Sequence, residues 1–288
     1  MSSYHTSVLL QEAVNALQIQ KDEKYIDTTL GAGGHTKEIV HRGGIVLGID
    51  QDEEAREEAK RNLTNLPVTV VYGNFSNLLT IARENGFDTV SGVLFDIGVS
   101  SHQFDEGGRG FSFQFDTPLD MRMDKNLGVT AADLINGLTK GELVELFIKY
   151  GEEKFAHRIA NNIIRIREEH PIVTTGELSD VVVRSYPVKG KIHPATKVFQ
   201  ALRIAVNDEL NALREALPQA VELLKSGGRV AVITFHSLED RIVKESFLRF
   251  GEEGLGTVIT RKPIQPTEEE IQKNKRARSA KLRVFEKK

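Results

Sequence analysis

The sequence contains no cysteine, and that one absence removes several chemistries together. Disulfides, thiolate metal sites, cysteine-held iron–sulfur clusters and a thiolate nucleophile are all excluded. Long apolar runs are lacking as well: none reaches the roughly 20 residues that a membrane-spanning helix needs. No charged-apolar-small leader pattern is visible either. A cytoplasmic protein with no membrane partner is the expectation. A third absence is local. In 27-DTTLGAGGHT-36 a glycine turn begins like a dinucleotide fingerprint, but Thr36 stands where G-x-G-x-x-G requires its last glycine. The Gly-Lys-Ser/Thr ending of a phosphate-cradling loop is missing too.

What is present is the composition of an ordinary globular protein, 40% hydrophobic and 27% charged over 288 residues. That length carries one large domain or two modest ones with a real core. The net charge of -3 conceals an uneven distribution. From Lys149 to Ala205 ten basic residues face six acidic ones, and Ile271 to Lys288 holds eight basic residues against one acidic. A polyanionic partner fits both stretches, although charge alone also fits two solvated faces.

Over the first hundred residues, apolar runs alternate with helix-like segments. "KYIDTTL", "GGIVLGID", "VTVVYGN" and "TVSGVLFDIG" read as strands, and "DEEAREEAKRNL" and "SNLLTIARENG" as the helices between them. This repetition predicts a doubly wound, Rossmann-like α/β sheet. It stops at about Phe104, where "FDEGGRGFSFQFDTPLDMRMD" has no clear period, and some eighty helix-like residues follow. Strand signals return at "GGRVAVITF", "GTVITRKP" and "AKLRVFEK". The order predicts a sheet domain of residues 1–104 and 207–288 interrupted by a mainly helical insert, 105–206. The chain is expected to return to the sheet within one long helix, "TKVFQALRIAVNDELNALREAL". Its stripe Val198, Leu202, Val206, Leu210 and Leu213 faces a core, and a polar stripe of Gln200, Arg203 and Asn207 reads as a solvated face.

The glycine turn is followed by Asp50 at the end of the next strand, where a carboxylate can accept both hydroxyls of a ribose. A nucleoside cofactor without phosphates suits this pairing, and S-adenosylmethionine is the commonest such cofactor. Gly33 and Gly34 let backbone groups approach its amino-acid end. Phe75, after the third strand, either covers the adenine face or caps the sheet. Asp96 ends the fourth strand at the edge where open α/β sheets bind ligands, and is the leading candidate for an active-site acid.

Longer stretches, among them "DIGVSSHQFD", "PLDMRMD", "YGEEKFAHRIA", "HPATKVFQALRIAVNDEL" and "SGGRVAVITFHSLEDRIVK", resemble the bacterial methyltransferases that modify the N4 amine of a cytosine in 16S rRNA, the MraW family. The resemblance runs from His5 to Val284. It implies a class I S-adenosylmethionine-dependent methyltransferase with an inserted substrate domain, acting on 16S rRNA or the small ribosomal subunit near the P site, with a homodimer left open. Carried over by position, it implies cofactor contacts at Gly33, Gly34, His35, Asp50, Phe75, Asp96 and Gln103, with Asp96 the candidate acceptor of the amine proton. His35 and Gln103 rest on the resemblance alone. No metal is implied.

Two departures stand out. The Asp/Asn/Ser-Pro-Pro-aromatic motif of many amino methyltransferases is replaced here by Asp96-Ile97-Gly98-Val99, and Lys275 stands where proline is expected. The missing cysteine agrees with methylation of an exocyclic amine, which needs no covalent adduct with the pyrimidine ring. Phe104, Phe111, Phe113 and Phe115 either receive an unstacked base or pack the insert. His236 and Ser237 fall at the ligand edge. Arg158, Arg165, Lys189, Lys191, Lys197 and Arg203 are the candidates for RNA phosphate contacts. The rival readings are a non-catalytic RNA-binding assembly factor, a methyltransferase of another nucleic acid or a protein amine, and a nicotinamide dehydrogenase, the last opposed by Thr36.

Overall fold

A computed structural model describes residues 7–98, 108–187 and 193–288. By backbone contacts the chain divides into two compact units, one of Met1–Gly98 with Leu210–Lys288 and the other Val99–Glu209.

The first unit is built on a seven-stranded sheet in the order β3-β2-β1-β4-β5-β7-β6. Its strands are β1 (Lys24–Asp27), β2 (Ile45–Asp50), β3 (Val68–Tyr72), β4 (Val90–Asp96), β5 (Leu224–Thr234), β6 (Gly256–Val258) and β7 (Lys281–Lys287). The first five run parallel, and β7 lies antiparallel between β5 and β6. The sequence signals follow from position. Central β4 is buried on both faces and is apolar almost throughout, as an interior parallel strand must be, whereas edge strand β3 is only partly covered. The "GTVITRKP" run predicted as a strand pairs as β6 only over its first three residues.

Helices α1 (Leu10–Leu17), α2 (Gly34–His41), α3 (Glu53–Asn62) and α4 (Leu78–Glu84) belong to the first half of this unit. Helix α3 shows how local sequence sets its limits. The Asp52 side chain caps it by accepting from the Glu54 amide at 3.0 Å, with Glu53 and Glu54 in the first turn and Lys60 and Arg61 in the last, each sign matched to the helix dipole. Strand order reverses between β1 and β4, so a crevice opens at their carboxyl ends.

The second unit holds α5 (Ala131–Gly137), α6 (Lys140–Gly151), α7 (Ala156–Arg167), α8 (Thr175–Ser185) and α9 (Ala195–Asn207). Capping boxes at Thr130/Asp133, Thr139/Glu142 and Thr174/Glu177 start three of them. Their apolar faces enclose a core that includes Phe111, Met121, Leu143, Phe147, Ile159, Val182 and Leu202. The described part of the aperiodic segment is ordered by polar contacts. Arg109 donates to the Arg122 and Met123 carbonyls at 2.7 Å, and Arg122 forks onto Asp120.

The long helix expected after Pro194 is two. Helix α9 ends at Asn207, Asp208 adopts a left-handed conformation (φ 48°), and α10 (Glu209–Leu223) begins in the first residue beyond it. A short polar side chain tolerates that conformation. The stripe Val198, Leu202, Leu210 and Leu213 is buried across the break, which is why periodicity does not register it. The polar stripe is not solvated either. Gln200 donates to the Tyr150 carbonyl at 2.9 Å and Arg203 forks onto Glu209 at 2.8 and 2.9 Å. Buried Asn207 accepts from the Met123 amide and donates to the Met121 carbonyl. Asn207 thus satisfies backbone groups of the irregular segment, and Gln200 a carbonyl in the last turn of α6. Helices α11 (Ser237–Glu252) and α12 (Glu268–Lys273) complete the first unit.

Candidate cofactor and active site

Each carboxylate at the crevice ends a parallel strand: Asp27 on β1, Asp50 on β2, Asp96 on β4. Strand β1 leads directly into the glycine turn. The Thr28 amide and hydroxyl both donate to the Leu94 carbonyl at 2.9 Å, and the Thr29 hydroxyl accepts from the Asp96 amide at 2.7 Å. The turn is thereby tied to β4. Gly31 and Gly33 have φ of +52° and +85°, and Gly33 is the left-handed residue that opens α2. A Cβ on Gly33 would lie 2.8 Å from Leu63 Cδ1, and one on Gly34 would collide with Ser7 Oγ. Gly33 is favoured by its left-handed backbone, whereas at Gly34 the close neighbour is the Ser7 side chain.

Asp50 is fixed by backbone amides. Its two oxygens accept from Asp52 N at 2.9 Å and from Gly31 N at 2.8 Å, and each keeps a further lone pair. Burial pushes its pKa up to about 6 despite those two bonds, with the Asp52 and Asp27 carboxylates adding to the rise. Phe75 follows β3, is partly exposed, and packs edge-on against Phe95 at 5.8 Å.

Asp27 is 1% exposed. It accepts from the Thr36 hydroxyl at 2.7 Å and the Thr29 amide at 3.2 Å, and burial still raises it to about 6. Asp96 stands higher, well above the ordinary carboxyl range, through burial first and then repulsion from Asp27 and Glu239. Its Oδ1 is buried and has no hydrogen-bond partner among the described residues. Its Oδ2 lies 3.5 Å from His35 Nδ1, and the other ring nitrogen of buried His35 is 3.1 Å from the Val8 carbonyl. A carbonyl only accepts, so Nε2 carries a proton towards Val8, and Nδ1 is the ring nitrogen that faces Asp96. The crevice thus presents carboxyls whose pKa values burial raises, beside a glycine turn.

His236 caps α11: its Nδ1 accepts from the Glu239 amide at 3.3 Å, and Glu239 accepts from the Phe235 and His236 amides. Fully buried Glu239 therefore combines a structural role with an electrostatic one on Asp96. Ser237 is the first residue of that helix. Among the described residues no cluster of acidic and histidine side chains is placed to hold a metal ion, and no helix is long and apolar enough to cross a membrane.

The family model described as the MraW methylase family matches residues 2–288. The chain belongs to that family. Ribosomal RNA small subunit methyltransferase H of Brevibacillus brevis is 46% identical to it over 310 residues, covering 100% of this chain and 99% of the relative. The protein of the same name from Carboxydothermus hydrogenoformans is 47% identical over 307 residues, with the same coverage. The chain is a methylase, and the sheet order above is the Rossmann-like α/β class expected from its sequence.

Within this methylase, Gly33, Gly34, His35, Asp50, Phe75 and Asp96 all follow or end strands at the carboxyl edge of one sheet. Gln103, Phe104, Lys189 and Lys191 lie outside the described residues. In the second unit, Arg158 and Arg165 are exposed on α7. Lys197 donates to the Glu152 carbonyl at 2.7 Å, and Arg203 is the guanidinium forked onto Glu209. Phe111 is in the core, Phe113 stacks on His193 at 4.4 Å, and Phe115 is 49% exposed. Sequence reasoning missed Asp27, Thr29, Thr36 and Glu239. The "DTT" at the end of a strand was the available signal for the first two, since an acid and hydroxyls there sit at the ligand edge.

Proposed function

We propose that this methylase transfers a methyl group from S-adenosylmethionine to the N4 amine of a cytosine in 16S rRNA of the small ribosomal subunit. The observation that carries the reading is the orphaned, buried Oδ1 of Asp96 at the crevice, in a chain alike over its whole length to proteins named for small-subunit rRNA methylation. The residues fit the cofactor. Asp50 would take the ribose, Gly33, Gly34 and His35 the amino-acid end, and Phe75 the adenine, with Asp96 nearest the reacting centre. When bound, S-adenosylmethionine supplies a methyl on a positively charged sulfur, an electrophile that needs no further activation.

The chain's own task is to position and deprotonate the amine. An N4 amine is a weak nucleophile because its lone pair is delocalised into the ring. Asp96, as carboxylate, accepts an N4–H hydrogen bond and favours the pyramidal form, then takes the proton as the new N–C bond forms. Burial opposes the ionised form of Asp96, and the positive charge of a bound cofactor would favour it. Orientation of the base supplies much of the remaining rate. The residues for phosphate contacts are Arg158 and Arg165, exposed on one helix, with Lys189, Lys191 and Lys197 later in the chain. Arg203 serves the fold instead. Under saturating cofactor, Asp96→Asn is expected to cut the methylation rate of small-subunit RNA by about 10²- to 10⁴-fold. Full activity in that variant would remove Asp96 from the reaction.

A further inference from the structure

A groove of about 420 Å³ lies in the first unit, between the second half of α11 and strands β6 and β7. Its size falls within the usual range of ligand sites. The apolar wall comprises Phe247, Leu248 and Val258, and Leu248 is 48% exposed, unusual for a leucine on a helix that packs on a sheet. Lys244, Arg261 and Arg283 also line the groove, and no acidic side chain does. Arg283 is held by Asp240 at 2.6 Å. Lys244 and Arg261 are exposed and pair with no carboxylate among the described residues.

We propose that this groove is a second RNA-binding site, which takes one unstacked nucleotide of the substrate RNA. The base lies against Leu248 and Val258, and Lys244 and Arg261 hold its flanking phosphates. The proposal rests on the RNA substrate assigned above. An apolar slot with cations and no acid at its rim matches the two chemistries of a single-stranded nucleotide, an apolar ring face and a polyanionic backbone. It is poorly matched to a metal ion or a basic peptide. The location agrees as well. Helix α11 starts at Ser237, directly beyond the carboxyl end of β5, and runs back along the sheet, so Lys244 lies about 10 Å and Leu248 about 16 Å along it from that edge. A single strand of several nucleotides that continues from a base bound at the crevice spans that distance.

The test is filter binding of the full chain to an in vitro transcript of small-subunit rRNA across a range of salt. Lys244→Glu combined with Arg261→Glu is expected to weaken binding at least tenfold and to lower the slope of log K against log salt by about 1.4, two phosphates at about 0.7 each. Thr257→Trp, at an exposed position on β6 that lines the groove, fills the slot without changing charge. It is expected to weaken binding with the slope unchanged. Neither variant should alter cofactor affinity in calorimetry, and Lys244→Gln with Arg261→Gln replaces the charge-reversed pair if that pair does not fold. Wild-type slope and affinity in the charge variants, or no effect of Thr257→Trp, would overturn the site while leaving the methylation reading intact. Failure of the wild-type chain to bind the transcript would overturn the site, while the methylation reading stands or falls on the nucleosides of methylated small subunits.

Discussion

Replacing Asp27 by Asn should make this protein more stable at neutral pH, although Asp27 sits at the heart of the candidate site. The side chain is 1% exposed and its pKa is raised by burial from 3.8 to about 6. That rise corresponds to about 3 kcal/mol by which ionisation of Asp27 opposes folding. Because the folded value exceeds the unfolded one, the penalty is absent below about pH 4, grows between about pH 4 and 6, and is complete above. Asparagine keeps the acceptor for the Thr29 amide, and its amide can donate to Thr36 Oγ1 in place of the bond that the hydroxyl now donates. The penalty disappears with the charge. At pH 5 about half of it is present in the wild type, so the variant's advantage should be about 1–2 kcal/mol larger at pH 7.5 than at pH 5. For a unit of this size that difference is roughly 4 °C in melting temperature. Melting curves of both proteins at the two pH values, without cofactor, read it directly. An advantage that does not grow with pH, or a variant less stable at pH 7.5, would refute the assignment of a buried, destabilising carboxylate at the end of β1.

Other substitutions separate binding from folding. Asp50→Ala removes an acceptor already oriented by two backbone amides; calorimetry should find S-adenosylmethionine bound about ten- to a hundredfold more weakly, and wild-type affinity would show the ribose assignment to be wrong. Gly33→Ala must hold a left-handed alanine at φ +85° with its Cβ 2.8 Å from Leu63. Urea unfolding should register a loss of about 1–2 kcal/mol. Arg203→Ala leaves Glu209, 6% exposed, without its fork, and should cost about 3 kcal/mol of stability. If Arg203→Ala instead kept its stability and lowered the salt dependence of RNA binding, Arg203 would be a phosphate contact after all.

Much of the sheet and its crevice was legible because their causes are local. Parallel strands buried on both faces must be apolar, and acids that end them, such as Asp50 and Asp96, stand out against that background. Glycine at 33 and 34 announces backbone that approaches closely. Thr36 was legible only as a missing glycine. What it does, donating to Asp27 across the turn, depends on how the start of α2 meets the end of β1, and spacing does not encode that. The same limit applies to Gln200 and Asn207. A polar stripe that serves backbone carbonyls and amides reads like one that faces water, because the backbone partner has no letter in the sequence. The break at Asp208 is hidden for a different reason: one left-handed residue joins two helices, and buried apolar residues recur at helical spacing in the sequence on both sides of it. Glu239 escaped notice because it looks like the third residue of an ordinary capping box, which it also is.

The central claim is that the crevice methylates the exocyclic amine of a cytosine. Small subunits from cells lacking this protein, incubated with the purified chain and S-adenosylmethionine and digested to nucleosides, test it by mass spectrometry. The account predicts that N4-methylcytidine appears in 16S rRNA with the wild-type chain and falls sharply with Asp96→Asn. No new N4-methylcytidine, or a methyl group found on a ring carbon or another base, would contradict it.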